Sequence, residues 1–239
     1  LTVNDITVTQ GRSLANFTKV DSTHYKADYT PVAGIASAIL SLSVAADTFS
    51  NADGLKNVAS STTTLQIDTV APAAPEVSLE NDTGVAGDKI THAAALQVKT
   101  ENSASVEYNS ATGWSANAPT PKAGINTVFV RQVDVAGNAS TPTEFAFNFD
   151  NQALAPTLGL TSDSGIAGIT ATGSDKITNN AALTPVGEQG ATFEYSANGS
   201  TGWSATAPTV AQGVNTVYSR QTDIAGNVSP ANSITFTFD

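Results

Sequence analysis

The stretch NTVFVRQVDVAGN at residues 126–138 returns as NTVYSRQTDIAGN at residues 215–227. Each copy reads as a strand running to an acid, Asp134 or Asp223, followed by a tight hairpin turn into a last strand. Gly137 and Asn138 suit the positive φ that such turns need. The last strand then ends on another acid, Asp150 in TEFAFNFD (143–150) and Asp239 at the close of the chain.

The repetition extends in both directions. TGWSANAPTP (112–121) matches TGWSATAPTV (201–210), and GDKITHAAAL (87–96) matches SDKITNNAAL (174–183). ASVEYNSATGW (104–114) matches ATFEYSANGSTGW (191–203). The pairs Trp114 and Trp203, Asp134 and Asp223, and Asp150 and Asp239 all keep one pitch. A unit of roughly 80–90 residues is too long for a solenoid repeat and right for a small sandwich domain.

Composition agrees. Thr, Ser, Ala, Val, Asn and Gly dominate, and no long stretch holds a helical period. THYKADYT (23–30) sets Tyr25, Ala27 and Tyr29 against His24, Lys26 and Asp28. AILSLSVAA (38–46) alternates Leu40, Leu42 and Val44 with serines, and 143–150 alternates three Phe with small or polar residues. A period of two marks half-buried antiparallel strands. The expected class is all-β: tandem immunoglobulin-like antiparallel β-sandwich domains arranged end to end, at 1–68, 69–150 and 151–239. Residues 1–68 lack the DKIT and TGW landmarks and form a different subtype. About five strands fit there where a sandwich of this kind uses seven. The first domain is therefore expected to be N-terminally incomplete, with Leu1 a cut inside a longer protein, or to take its missing strands from another segment.

The chain has 239 residues, a net charge of −11 and only 10 Lys plus Arg. Nucleic acid is not an expected partner, since its binding rests on basic residues against phosphates. No apolar run reaches the roughly 18 residues of a membrane span. The lack of cysteine removes disulfides, thiolate metal sites and Cys nucleophiles together.

The acids fall at the seams between units. Asp150 ends the last strand at the bottom of its domain, while the turn bearing Asp223 lies at the top of the next. The turn GEQG (187–190) belongs at the same top, and its Glu188 pairs in the repeat with Glu101. Short Pro-bearing linkers, VAPAAP (70–75) and NQALAP (151–156), bring the ends together. The upper seam collects Asp68, Glu101 and Asp134; the lower collects Asp150, Glu188 and Asp223. Carboxylates about 4 Å apart repel by about 1 kcal/mol in water and about 4 kcal/mol at an effective dielectric of 20. Raised pKa values, exposure or a bound cation each relieve this. Oxygen ligands without His or Cys suit Ca²⁺, which takes 6–8 oxygens, better than Mg²⁺ with its strict octahedron. A second acidic loop repeats too: Asp82 and Asp88 in LENDTGVAGDKIT (79–91) correspond to Asp163 and Asp175 in 160–178, where the second copy carries a six-residue insertion. That loop follows the first strand, belongs at the bottom of its domain, and is a further candidate for Ca²⁺.

DTVAPAAP, NDTGVAGDKIT, NTVFVRQVDVAGN and a strand ending in Asp together resemble the bacterial immunoglobulin-like domains in the extender regions of large repetitive RTX-type adhesins. The resemblance covers 69–239 as two tandem copies, and 1–68 resembles a second bacterial Ig-like subtype. It implies Ca²⁺ at the junctions, held by Asp68, Glu101 and Asp134 and by Asp150, Glu188 and Asp223, that stiffens the array into a rod. It also implies type I secretion, an extracellular place on a bacterial cell surface, and a role in adhesion or biofilm formation. The expected partners are the neighbouring Ig-like domains of the same chain, in a monomer, with any host or surface ligand bound by other regions. Two departures stand out. The first domain reads SNADGLKN where an Asp, a small residue, Ala, Gly and Asn are usual, and the second linker lacks the Thr of DTVAP. The glycine-rich nonapeptide repeats of RTX tails are absent.

No catalytic role is expected, since acids that duplicate with the fold at every joint are poor candidates for a paired-carboxylate active site. Trp114 and Trp203 follow Gly in a loop and could stack on a sugar, though capping the sandwich edge is the plainer reading. Two other functions stay open: a module binding a glycan or host protein, and an accessory region of a secreted hydrolase.

Overall fold

Along Gly213–Thr222, every second side chain from Val217 to Gln221 is buried, and this row sets the core of the third repeat. The computed structural model describes residues 1–9, 14–110 (the backbone alone at 110), 113–164 and 175–239. Among these, every regular element is a strand except a short 3-10 turn at Val3–Asp5. The chain packs as two compact units. One holds Leu1–Pro75, Thr100–Glu107 and Arg131–Pro142; the other holds Glu76–Lys99, Tyr108–Val130 and Thr143–Asp239. The middle repeat is shared out between them. The insertion expected in the second acidic loop falls largely on 165–174, outside the described residues.

In the first unit, β4 (Ala38–Val44) lies between β1 (Ile6–Val8) and β5 (Thr63–Ile67), antiparallel to both. Leu40 and Ile67 are buried from this sheet, while Ile39 points to solvent. β2 (Ala15–Lys19) and β3 (Tyr25–Asp28) make a hairpin in which Phe17 stacks on Tyr25 at 5.4 Å. The faces of β3 fall as the alternation predicts, with Tyr25 and Ala27 half-buried and Lys26 and Asp28 exposed. These five strands are the number read from the sequence. His24 Nδ1 lies 2.9 Å from Asp21 Oδ2. Asp21 also accepts the Thr23 N–H, the main reason its pKa falls to about 2.

The second unit contains the third repeat, with β13 (Thr157–Leu160) antiparallel to β15 (Leu183–Val186) in one sheet. The facing sheet runs β14 (Ile177–Thr178), β18 (Asn232–Phe238), β17 (Gly213–Thr222) and β16 (Thr192–Ser196). Val217, Ile234 and Phe236 from that sheet pack against Leu158, Leu160 and Leu183 from the other. This is a sandwich, its core filled by the inward rows of two sheets. The middle repeat gives this unit the same parts. β6 (Glu76–Leu79) pairs with β8 (Leu96–Lys99), and β10 (Gly113–Ser115) pairs with the end of β9 (Ser105–Ser110). The stretch Gly124–Val130 of β11 (Gly124–Val133) pairs with β12 (Thr143–Phe149), burying Val128, Val130, Phe145 and Phe147.

Two details correct the sequence reading. The sandwiches are not purely antiparallel: β7 (Ile90–Thr91) runs parallel to β12, and β14 runs parallel to β18. After β6 the chain leaves the first sheet, crosses through the acidic loop, and reaches the other sheet heading the same way as the last strand. Trp114 also sits in the short strand β10 rather than in a loop.

Each inward row ends on a buried glutamine, Gln132 at 3% exposure and Gln221 at 1%. A buried amide must find partners for both ends, and here they are backbone groups. Gln221 Nε2 donates to the Leu154 carbonyl at 2.7 Å, and its Oε1 accepts the Glu188 N–H at 2.9 Å. Gln132 does the same with Ala73 at 2.7 Å and Glu101 at 2.9 Å. Each glutamine thus ties a linker to an acid-bearing turn. Gln221→Ala is expected to cost about 1–3 kcal/mol, because both backbone partners are stranded. A thermal melt of the variant checks this, and an unchanged midpoint would contradict it.

Candidate metal-binding joints

The hairpin turn that carries Asp134 is built by its own asparagine. Asp134 Oδ1 accepts the Asn138 N–H at 2.8 Å, and its Oδ2 accepts Asn138 Nδ2 at 2.8 Å. Asn138 Nδ2 also donates to the Asp68 carbonyl at 3.3 Å, the residue that follows β5. The second copy repeats each bond. Asp223 holds Asn227 at 2.8 Å through both oxygens, and Asn227 Nδ2 donates to the Asp150 carbonyl at 2.9 Å. Asn138 and Asn227 therefore serve by their side chains. The positive φ expected of Gly137 and Asn138 falls on the glycine alone, at 93°.

In the first unit, Asp68, Glu101 and Asp134 line one cavity of about 320 Å³ with Gln66, Val135 and Ala136. The three acids named from the sequence thus come from three separate segments to one open space. Asp68 Oδ1 accepts the Val70 N–H at 3.0 Å, which aims the linker. The Asn138 side chain holds the Asp134 carboxyl below its ordinary range, with further help from backbone N–H groups of the turn.

In the second unit, Asp223 is buried at 7% exposure. Asp150 Oδ1 accepts the Gln152 N–H at 3.2 Å, and Glu188 Oε1 accepts the Leu154 N–H at 3.4 Å. Glu188 Oε2 is buried with no hydrogen-bond partner. A buried carboxylate oxygen without a donor is costly unless a proton or a cation meets it. Among the described residues, no three His, Cys, Asp or Glu side chains gather as a ready metal cluster. Asp68, Glu101 and Asp134 line their space rather than closing on one point, and backbone carbonyls or water would have to supply the remaining ligands of a Ca²⁺ ion.

The secondary acids organise their loops. Asp82 Oδ2 accepts the Gly87 N–H at 2.8 Å and the Lys89 N–H at 3.3 Å, and Asp163 Oδ2 accepts the Lys176 N–H at 3.1 Å. Asp88 and Asp175 each cap the start of a short strand through Ile90 and Ile177. The Oδ1 atoms of Asp82 and Asp163 are buried without a partner. Each of these two acids lines a cavity together with a lysine, Lys89 or Lys176.

Trp203 has one face taken: the Arg220 guanidinium lies 4.4 Å over its ring, and Arg220 is itself paired with Glu194 at 2.8 Å. That arrangement favours an edge-capping role over a sugar platform. Arg131 and Glu107 form the same pair at 2.7 Å. The sequence reading missed the two glutamines and the two asparagines as joint residues. Their signal was present, since Gln and Asn repeat at fixed places in the opening stretch.

Residues 1–67 match the family of bacterial Ig-like domains. No curated protein matches the chain. Among solved structures, the chain is similar to fibronectin(III)-like modules of CbhA from Clostridium thermocellum, at 15% identity and a TM-score of 0.33. That match covers 69% of this chain and 94% of the other. Among the described residues, no helix is long and apolar enough to cross a membrane.

Asn138→Ala is expected to return the Asp134 carboxyl toward its ordinary value, as followed by NMR titration. A folded-state pKa held low stabilises the fold above the unfolded value of about 3.9, and that contribution is lost as pH falls through the lowered value. An unmoved titration in the variant would show that the asparagine is not the cause.

Proposed function

We propose that this chain is a spacer segment of a bacterial cell-surface adhesin, stiffened by Ca²⁺ at the joints between three sandwich repeats at 1–68, 69–150 and 151–239. The observation that carries this reading is the orphaned Glu188 Oε2, buried within one of two repeated acid sets. The cavity lined by Asp68, Glu101 and Asp134 is its counterpart in the other set and supports the same chemistry. Asp150, Glu188 and Asp223 would hold one ion, and Asp68, Glu101 and Asp134 another. Asp82 with Asp88, and Asp163 with Asp175, are further candidates through the orphaned Oδ1 atoms of Asp82 and Asp163.

The ion would neutralise charge that the chain itself concentrates at its joints and would limit their motion. Extracellular modules bind Ca²⁺ at about 10⁻⁴–10⁻³ M, so such sites would be empty inside a cell and filled outside it. A non-catalytic spacer of this kind would project a distal binding region for adhesion or biofilm formation, after type I secretion.

Calorimetric melting tests the reading. A ligand that binds only the folded state at a hundred times its Kd adds about 2.7 kcal/mol. Millimolar Ca²⁺ is therefore expected to raise the melting temperature over that in chelator, and Glu188→Gln to remove part of the gain. Equal melting of the wild type with and without Ca²⁺ would overturn the reading.

A further inference from the structure

The two acid-bearing turns have nearly the same sequence and very different surroundings. Val135 is 83% exposed, Ala136 and Gly137 are also exposed, and a Cβ placed on Gly137 would meet nothing. In the other copy Ala225 is fully buried. What covers it is the acidic loop of the repeat before. Thr83 Oγ1 donates to the Ala225 carbonyl at 2.6 Å, and His92 Nδ1 donates to the same oxygen at 2.9 Å. The Val85 N–H donates to the Ile224 carbonyl at 3.3 Å. Gly84, at φ 73°, lies so close that a Cβ there would collide with the Ile224 carbonyl. The fully buried Thr91 holds the loop in shape: its Oγ1 lies 3.0 Å from Thr83 Oγ1 and donates to the Asn81 carbonyl at 3.1 Å.

We infer that the second joint carries a protein clasp, through Thr83, Gly84 and His92 on the Ile224–Ala225 backbone, that holds it with or without the ion its acid set would take, whereas the first joint depends on its cation. The inference rests on the Ca²⁺ reading for the first joint and is independent of it for the second. The second joint gains three hydrogen bonds and a close backbone contact that need no ion. The first presents its turn to an open, acid-lined cavity, where repulsion among carboxylates would be relieved by a bound cation, by solvent or by protonation. Ca²⁺ would then control one hinge of the chain and leave the other fixed, with Thr83 and His92 as positioning residues of the fixed one.

The chain has no cysteine, so spin labels can be placed singly and measured by pulsed dipolar spectroscopy on the full 239 residues. Exposed sites are available across each joint: Thr64→Cys with Thr141→Cys for the first, and Ala146→Cys with Ala231→Cys for the second. The expected result is a narrow distance distribution at both joints in millimolar Ca²⁺. In chelator the first is expected to widen roughly twofold or more, as a short linker regains its freedom, while the second stays narrow. Thr83→Ala with His92→Ala should then widen the second joint in chelator. If the second joint of the wild type widens in chelator as much as the first, or if the double variant stays narrow there, the clasp is wrong. If the first joint stays narrow in chelator, the asymmetry is overturned through its other arm, and the failure lies with the Ca²⁺ reading.

Discussion

One amide group organises each joint. Asn227 lies between the Asp223 carboxylate and the Asp150 carbonyl, and Asn138 lies between Asp134 and Asp68. The carboxylate fixes the asparagine, and the asparagine fixes the end of the preceding strand. Beside it the buried glutamine ties the linker to the glutamate turn, through Leu154 and Glu188 or Ala73 and Glu101. At the first joint three segments distant in sequence are thereby set around one space. A buried amide left unpaired would be costly, so the geometry of the joint is coupled to the integrity of the core row on which the glutamine sits.

That coupling also places the acids. Asp134 and Asp223 each accept the backbone N–H and the side-chain amide of the asparagine four residues on, so their carboxylates point where the turn sends them rather than where repulsion would push them. The glutamates are less tied. Glu188 has one oxygen on the Leu154 N–H and the other buried without a donor. Pinned acids and an unsatisfied oxygen are what the proposed cation, with flexible, oxygen-only coordination, would use.

Much of this was legible in the letters. The period of two, the repeated turn and the seam acids gave the sandwiches and the meeting of Asp68, Glu101 and Asp134, because strands report their faces locally and repeats report their own boundaries. The bonds that hold the joints were not legible, since a glutamine at the end of an inward row looks like any exposed polar residue until its partners are known. The covering of Ala225 by Thr83 and His92 depends on how one repeat's loop lies on the next repeat's turn, and nothing in either segment alone encodes it. The parallel pairing of Ile90–Thr91 with the last strand was hidden for a related reason: two residues are too few to show a period.

Small-angle X-ray scattering of the whole chain, in millimolar Ca²⁺ and again in chelator, tests the central claim most directly. A long, well-defined maximum dimension with Ca²⁺ that blurs in chelator is the result expected of a cation-held joint. Superimposable curves would mean that the clustered acids hold no exchangeable ion, and would contradict it.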